Sequence, residues 1–433
     1  MLAMVLAFAQ IFLCPPWTVQ AQEKPIVMGY VGNVASPGTR PCMEIQKMAV
    51  EEINAAGGIL GRPIKYVIED GKGDTTLTVD GATRMVMGNR ALVFWVEGRS
   101  EINLANKINS ARLFPSYPHI VVCNGAVAAG ITEGILKDYE KYKFLFRDVD
   151  WACVPWYYKH PWDITKNIIG AKKIAMLWED LMWTLPYRQG GLLKGLPSQK
   201  DFAEQYWGLE VVYHKPIKYR FGMYLPILES IKAAGAEAIY YMTSWFSDDE
   251  VFVKQWAQSS ARDIPIITGA GSVTFRTFDS MTGGKSAGAI GWCADEEIPI
   301  TSKTIPFIRK AKARNIVLDL NAHNAYNGIY LVKRAIEKAG TADNVDAIIK
   351  ALEEVEIEGT LYNFSFRAPR EDIWFHGLTM CDISKFPPLE MLPGINFPWA
   401  QWQGGGKREI IYNSAKVPWA DPKKYKRPAE LRR

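Results

Sequence analysis

Between residues 45 and 53, the apolar positions Ile45, Ala49 and Ile53 fall at i, i+4 and i+8, the spacing of one buried helix face. Gly57 and Gly58 follow at once, the kind of residue through which a chain leaves a helix by left-handed backbone. Beyond them Ile64, Tyr66 and Ile68 alternate with polar or exposed positions, as the side chains of a strand do. The segment 48–74 therefore predicts a helix, a short turn, a strand and an acidic loop, which together make one α/β unit.

The same rhythm continues along the chain. Strands are predicted at 26–31, 64–69, 92–96, 120–123, 174–178, 211–214, 238–242 and 265–268, mostly as continuous apolar runs. Such runs suit strands covered on both faces. Helical patterns occur at 75–87, 224–234, 248–257, 325–338 and 345–354. Strands alternating with helices predict parallel sheets layered with helices, an α/β fold. The rhythm weakens at 146–162, at 293–300 and at 362–372. Three breaks fit two lobes joined by three crossings of the chain, and 433 residues are too many for one core. The expected division places 22–147 and 295–362 in a first lobe, and 148–294 and 363–400 in a second.

The two ends stand apart. Residues 2–13 are apolar apart from Gln10, a run too short to span a bilayer. Val19 and Ala21 then supply small residues for cleavage, so 1–21 reads as a secretory signal. No basic residue precedes the run, which leaves an upstream start open. Cys14 is the alternative, a lipid-acceptor cysteine, but Leu13 before it is larger than such sites take. No other stretch has 18 successive apolar residues, so the exported chain is expected to be soluble. At the other end, 407–433 carries nine Lys and Arg against three Asp and Glu, so the net charge of +5 comes from this segment and the body is near neutral. That distribution argues against a nucleic-acid surface. The Pro-interrupted segment 401–433 is expected to be a solvated basic tail.

Catalytic and cofactor signatures are missing. The chain has no GxxxxGK[ST], GxSxG or HExxH motif, and its five His are scattered. The glycine runs 269–271 and 404–406 lack the strand–turn–helix setting of a dinucleotide site. Cys42, Cys123, Cys153, Cys293 and Cys381 form no CxxC pair, which reads as buried thiols with at most one bridge and no zinc site. No enzyme and no cofactor is expected.

Four stretches carry a resemblance: AVEEINAAGGILGRPI at 49–64, FLFRDVD at 144–150, GAKKIAMLWED at 170–180 and IKAAGAEAIYY at 231–241. They resemble the branched-chain amino acid (leucine/isoleucine/valine) binding proteins, the periplasmic receptors of ABC importers, and the likeness extends over about 24–383. The resemblance implies a type I periplasmic binding protein fold: two Rossmann-like lobes with a three-crossing hinge, closing around a small solute. It also implies a periplasmic location and ABC permease and ATPase partners. A monomer is expected.

The resemblance points to particular residues. In the loop after the 92–96 strand, where the family has small hydroxyl residues for the ligand's carboxylate, this chain offers Ser100, and Arg99 either adds a bidentate contact or forms a surface ion pair. The next strand end, Asn124-Gly125-Ala126-Val127, matches the second carboxylate turn, with Val127 where Thr is common. Asp150, which ends the 144–150 match, and Trp151 after it are further candidates for the site. Trp183 and Trp245 follow two second-lobe strands where the family has aromatics; they serve as pocket walls or as core. The largest departure is Ala270, which stands where amino-acid-binding members carry an acidic partner for the ligand's ammonium. Either another acid (Asp150, Glu97 or Glu101) replaces it, or the solute is an amide or an aromatic or apolar carboxylate rather than an α-amino acid. The alternatives are a ligand-sensing receptor or regulator of the same fold and, more remotely, a secreted hydrolase.

Overall fold

The computed structural model describes residues 24–149, 155–191, 196–244, 247–269, 271–366, 375–378, 381–382, 390–391, 398–413 and 417–432. Its strands, in chain order, are β1 (Ile26–Gly32), β2 (Ile64–Asp70), β3 (Val93–Glu97), β4 (Ile120–Asn124), β5 (Leu145–Arg147), β6 (Lys173–Glu179), β7 (Glu210–Ile217), β8 (Ala238–Met242), β9 (Ile266–Thr268), β10 (Ala289–Trp292), β11 (Glu356–Glu358), β12 (Asn363–Ser365), β13 (Cys381–Asp382), β14 (Glu390–Met391), β15 (Trp399–Gly404) and β16 (Lys407–Tyr412). One sheet has the order β2-β1-β3-β4-β5, parallel throughout. The other runs β16-β15-β10-β9-β8-β6-β7, parallel from β10 to β7 and antiparallel at β15 and β16.

The first α/β unit shows how local sequence sets this architecture. Helix Arg40–Ala55 buries Ile45, Ala49 and Ile53 against the first sheet. Gly58 then adopts φ 79°, and a Cβ there would lie 2.1 Å from the Arg62 carbonyl oxygen, so only glycine fits the turn. The Asn54 side chain locks helix to strand, donating to the Ile64 carbonyl at 2.9 Å and accepting the Ile64 amide at 2.7 Å. Strand β2 lies at the sheet edge, so the alternation fades along it: Ile64 is buried but Ile68 is 39 % exposed.

The chain passes three times between the sheets. After β5 it enters the second sheet through β6–β10. Helices Thr304–Ala313 and Leu320–Ala339 then return to the first sheet, where the hydroxyls of Tyr326 and Tyr330 donate to Glu52 at 2.6 and 2.7 Å. The last crossing leads to β15 and β16. The fold is thus two sheet-based α/β lobes of the type I periplasmic binding protein kind.

Two expectations change. Residues 375–378 do not lie with the second lobe. The Arg147 amide donates to His376 O at 2.9 Å and the Leu378 amide to Arg147 O at 3.0 Å, which pairs this segment with β5, while His376 stacks on Phe146. The basic tail is likewise no solvated end, since β15 and β16 form a hairpin in the second sheet. Its turn is Gly404-Gly405-Gly406, all at positive φ, and its inward residues Trp399, Trp402 and Ile411 are at most 1 % exposed. Burying those rings outweighs the charge that the segment carries on its outer face. Cys42, Cys123 and Cys293 are buried free thiols. Among the described residues no helix is long and apolar enough to cross a membrane.

Candidate functional site

The carboxyl ends of the parallel strands in both lobes converge on one cleft, where a doubly wound sheet places its ligands. At the end of β3, Gly98 turns at φ 151° and Arg99, with extended backbone, leads into helix Ser100–Leu113. The first residues of that 14-residue helix, Ser100 and Glu101, line the cleft, and the helix dipole favours negative charge at this end. Ser100, 6 % exposed, adds a hydroxyl. At the end of β4, Gly125 takes φ 73°, and a Cβ on it would meet the Asn321 amide nitrogen at 2.9 Å. The turn therefore needs glycine both for its backbone and for its neighbour, and it leaves Ala126 and Val127 facing the same space.

The second lobe supplies the opposite wall. Leu181 and Trp183 follow β6, Ser244 follows β8, and Tyr157 comes from the helical turn that opens this lobe. Together with Gly98, Arg99, Ser100, Glu101, Gly125, Ala126 and Val127 they enclose a space of about 470 Å³, its open mouth included. Trp183 is 8 % exposed and packs against Tyr157 and Tyr187 at ring distances of 6.2 and 6.1 Å. The slot is therefore mainly apolar, with polar groups concentrated at the first-lobe strand ends.

Buried carboxyls lie behind both walls. The Asn124 amide donates to Asp148 at 2.8 Å, so Asn124 supports the cleft from beneath and does not line it. Burial pushes the Asp148 carboxyl up to about 8, against the lowering effect of its hydrogen bonds. Glu97, at the end of β3, is 2 % exposed, and neither of its oxygens has a hydrogen-bond partner. Burial, then Asp319 and Asp148, push its carboxyl well above the usual range, so it is held neutral. In the second lobe Glu179 accepts the Ser244 amide at 2.8 Å and fixes the loop that carries Ser244 to the cleft; burial raises its carboxyl as well.

Of the residues singled out in the sequence, the structure brings Arg99, Ser100, Gly125, Ala126 and Trp183 around one space and puts Asn124 in the layer beneath. Asp150, Trp151, Trp245 and Ala270 lie outside the described residues. Of the acids considered as replacements at Ala270, Glu101 lines the slot and Glu97 stands beside it. Tyr157, Leu181 and Ser244 were not singled out. Tyr157 sits in the aperiodic stretch 146–162, where no spacing marks it; Ser244 directly precedes Trp245 and carries no pattern of its own.

Two α/β lobes facing each other across a small cleft, with a helix start on one side and aromatic rings on the other, define a solute-binding protein. The chain belongs to the periplasmic binding protein family, whose sequence model matches residues 29–107 and 197–375, more than half its length. A curated relative, a Leu/Ile/Val-binding protein homolog of Brucella melitensis, is 22% identical over 332 residues, covering 76% of this chain and 83% of the relative. Among solved structures, the branched-chain amino acid transporter substrate-binding protein LivJ of Streptococcus pneumoniae, in complex with isoleucine, matches with a TM-score of 0.67 and 18% identity over 89% of this chain and 98% of its own. An ABC transporter solute-binding protein of R. palustris in complex with 4-hydroxybenzoate matches with a TM-score of 0.66 and 16% identity, covering 91% and 98%. At these identities the structural matches speak for the fold.

Proposed function

We propose that this chain is an exported receptor of a branched-chain amino acid-type ABC importer. It captures a small aromatic or apolar carboxylate between its lobes and performs no catalysis. In this reading 1–21 is removed on export to the periplasm, and the loaded monomer docks on a permease driven by ATPase subunits. The first lobe comprises 22–147 and 295–362 with 375–378 at its edge, and the second 148–294 together with the β15–β16 hairpin.

The observation that carries this reading is the make-up of the slot. Ser100 and the amides around Gly125 and Ala126 suit a carboxylate, while Trp183, Tyr157 and Leu181 suit an apolar body. Of the acids weighed as partners for an ammonium, Glu101 lines the slot on the first-lobe side, next to Ser100 where the carboxylate is placed. Glu97 is held neutral, and Ala270 removes the acid expected from the second lobe. The test is a thermal-shift screen of branched-chain amino acids, amides and aromatic acids, followed by calorimetry. Aromatic or apolar acids are expected to stabilise the protein with one site per chain; leucine binding more tightly than any of them overturns the ligand class.

A further inference from the structure

Beside the apolar slot, and continuous with it through Gly98 and Arg99, lies a second compartment of the same cleft, about 750 Å³ with its open mouth included. Its chemistry is different. Lys72 reaches it from the loop after β2, Arg99 from the turn after β3, and Arg220 from the turn after β7 in the opposite lobe. Asn33 and Ser36, after β1, add polar groups. Lys72 and Arg99 take no part in any ion pair among the described residues. Arg220 lies 5.7 Å from the ring centre of Tyr219, whose hydroxyl is raised by burial first and feels Arg220 and Arg99 in one sense and Glu179 and Asp248 in the other. Lys72 and Arg220 each hold φ 51°, a backbone state uncommon for residues other than glycine.

Of the residues that line this compartment, Glu97 is the acid, while Asp70 and Asp248 stand at its edge. Asp70 spends one carboxyl oxygen on the amides of Lys72 and Val34 at the rim. Asp248 is engaged with the Tyr224 hydroxyl at 2.6 Å and the Gly222 amide at 3.0 Å. Glu97 lines the compartment, almost wholly buried and with both oxygens unpartnered; held neutral by burial, it offers an O–H donor in place of a negative charge. Three cations, a neutral acid and polar side chains make a site for an anion that the apolar slot does not account for.

We propose that the solute carries two carboxylates on an apolar body. One is held at Ser100 and the β4 turn, and the other lies in the basic compartment between Lys72, Arg99 and Arg220. The proposal rests on the solute-receptor reading and narrows its ligand. It also couples binding to closure. Arg220 lines the compartment from the lobe opposite Lys72 and Arg99, so an anion held there touches both lobes and favours their closed arrangement.

The test compares matched acids by calorimetry on the full mature chain: benzoate with terephthalate, and hexanoate with adipate. Each diacid is expected to bind about tenfold or more tighter than its monoacid, the scale of charged hydrogen bonds to a second carboxylate. That ratio is expected to shrink with added salt and to fall toward one in Lys72→Asn and Arg220→Asn, because asparagine tolerates left-handed backbone. Equal affinity for monoacid and diacid in the wild-type chain, or a ratio untouched by both substitutions, overturns the proposal and leaves the receptor reading standing. Failure of all four acids to bind overturns the carboxylate reading itself, and this one with it. The wild-type ratio decides the matter even if a variant does not fold.

Discussion

Asn124 holds Asp148 by a 2.8 Å hydrogen bond beneath the turn that follows β4 in the cleft, and that carboxyl is buried and pushed up to about 8. The folded chain therefore keeps a proton that the unfolded chain, with an ordinary aspartate near 3.8, releases. A raised carboxyl contributes stability that is fully present below about pH 4 and is lost as pH rises to about 8. Buried His119 and His323, lowered to about 4, act in the opposite sense, and their contribution is lost only as pH falls below 6.5. From pH 6.5 to 8 the carboxyl dominates. Urea midpoints are expected to fall across that window, with a slope of at most about 1.4 kcal/mol per pH unit for each such group. Asp148→Asn is expected to flatten the fall, and a wild-type midpoint constant over the window contradicts this account.

Trp183 forms the aromatic wall of the slot, with Tyr157 and Tyr187 behind it. Trp183→Phe keeps a ring but shortens the wall, so it is expected to weaken binding of aromatic acids by about two- to tenfold, the range of aromatic pair energies. Calorimetry gives the affinity, and a thermal melt shows whether the fold is kept. Unchanged affinity would make Trp183 a packing residue only. Ligand binding to the wild type is expected to alter tryptophan emission.

The parts of this fold legible in the sequence are those whose burial is two-sided and local. Strands β1, β3, β4, β6, β8 and β9 appear as apolar runs because both their faces are covered. The three-residue β5 pairs with β4 on one side, and its other edge is covered by residues 375–378, far away in the chain, a partner that no local pattern announces. The hairpin was hidden for another reason: the charge count over 407–433 passes over the buried Ile411 and the buried Arg408, and leaves out Trp399 and Trp402 on the partner strand. In the cleft, Ser100 and Gly125 are readable because each stands at a strand end in a recognisable turn. Lys72 and Arg220 are not, since each looks like an ordinary surface cation until the two lobes bring them near Arg99.

The hairpin is expected to be essential for the second lobe. Trp402 is 1 % exposed, donates its indole N–H to the Val273 carbonyl at 3.0 Å and packs against Phe278. Trp402→Ala is expected to cost about 3–5 kcal/mol, the range for emptying a buried aromatic site. Denaturant unfolding followed by far-UV circular dichroism measures it. A loss below about 1 kcal/mol would mean that this edge of the sheet is dispensable.

Arg408 on β16 ties the hairpin to the second crossing between the lobes. Only 4 % of its side chain is exposed, and it pairs with Asp295, with Glu296 at 2.8 Å and with the Thr274 carbonyl at 3.0 Å, while its guanidinium lies 4.9 Å from the Trp402 ring centre. Asp295 is itself 2 % exposed and keeps one other partner, Arg276 at 3.1 Å. Removing Arg408 leaves a buried carboxylate with a single, partly exposed cation, so Arg408→Ala is expected to cost about 3 kcal/mol. Replacing both partners, as Arg408→Met with Asp295→Leu, removes the orphaned charge as well, and the double variant is expected to be more stable than Arg408→Ala alone. A double-mutant cycle by urea unfolding checks both statements. Because Asp295 follows β10, where the chain turns back toward the first lobe, the single variant is also expected to loosen the crossing and lower ligand affinity. An Arg408→Ala chain with wild-type stability and affinity would show that the ion pair is incidental to the hinge.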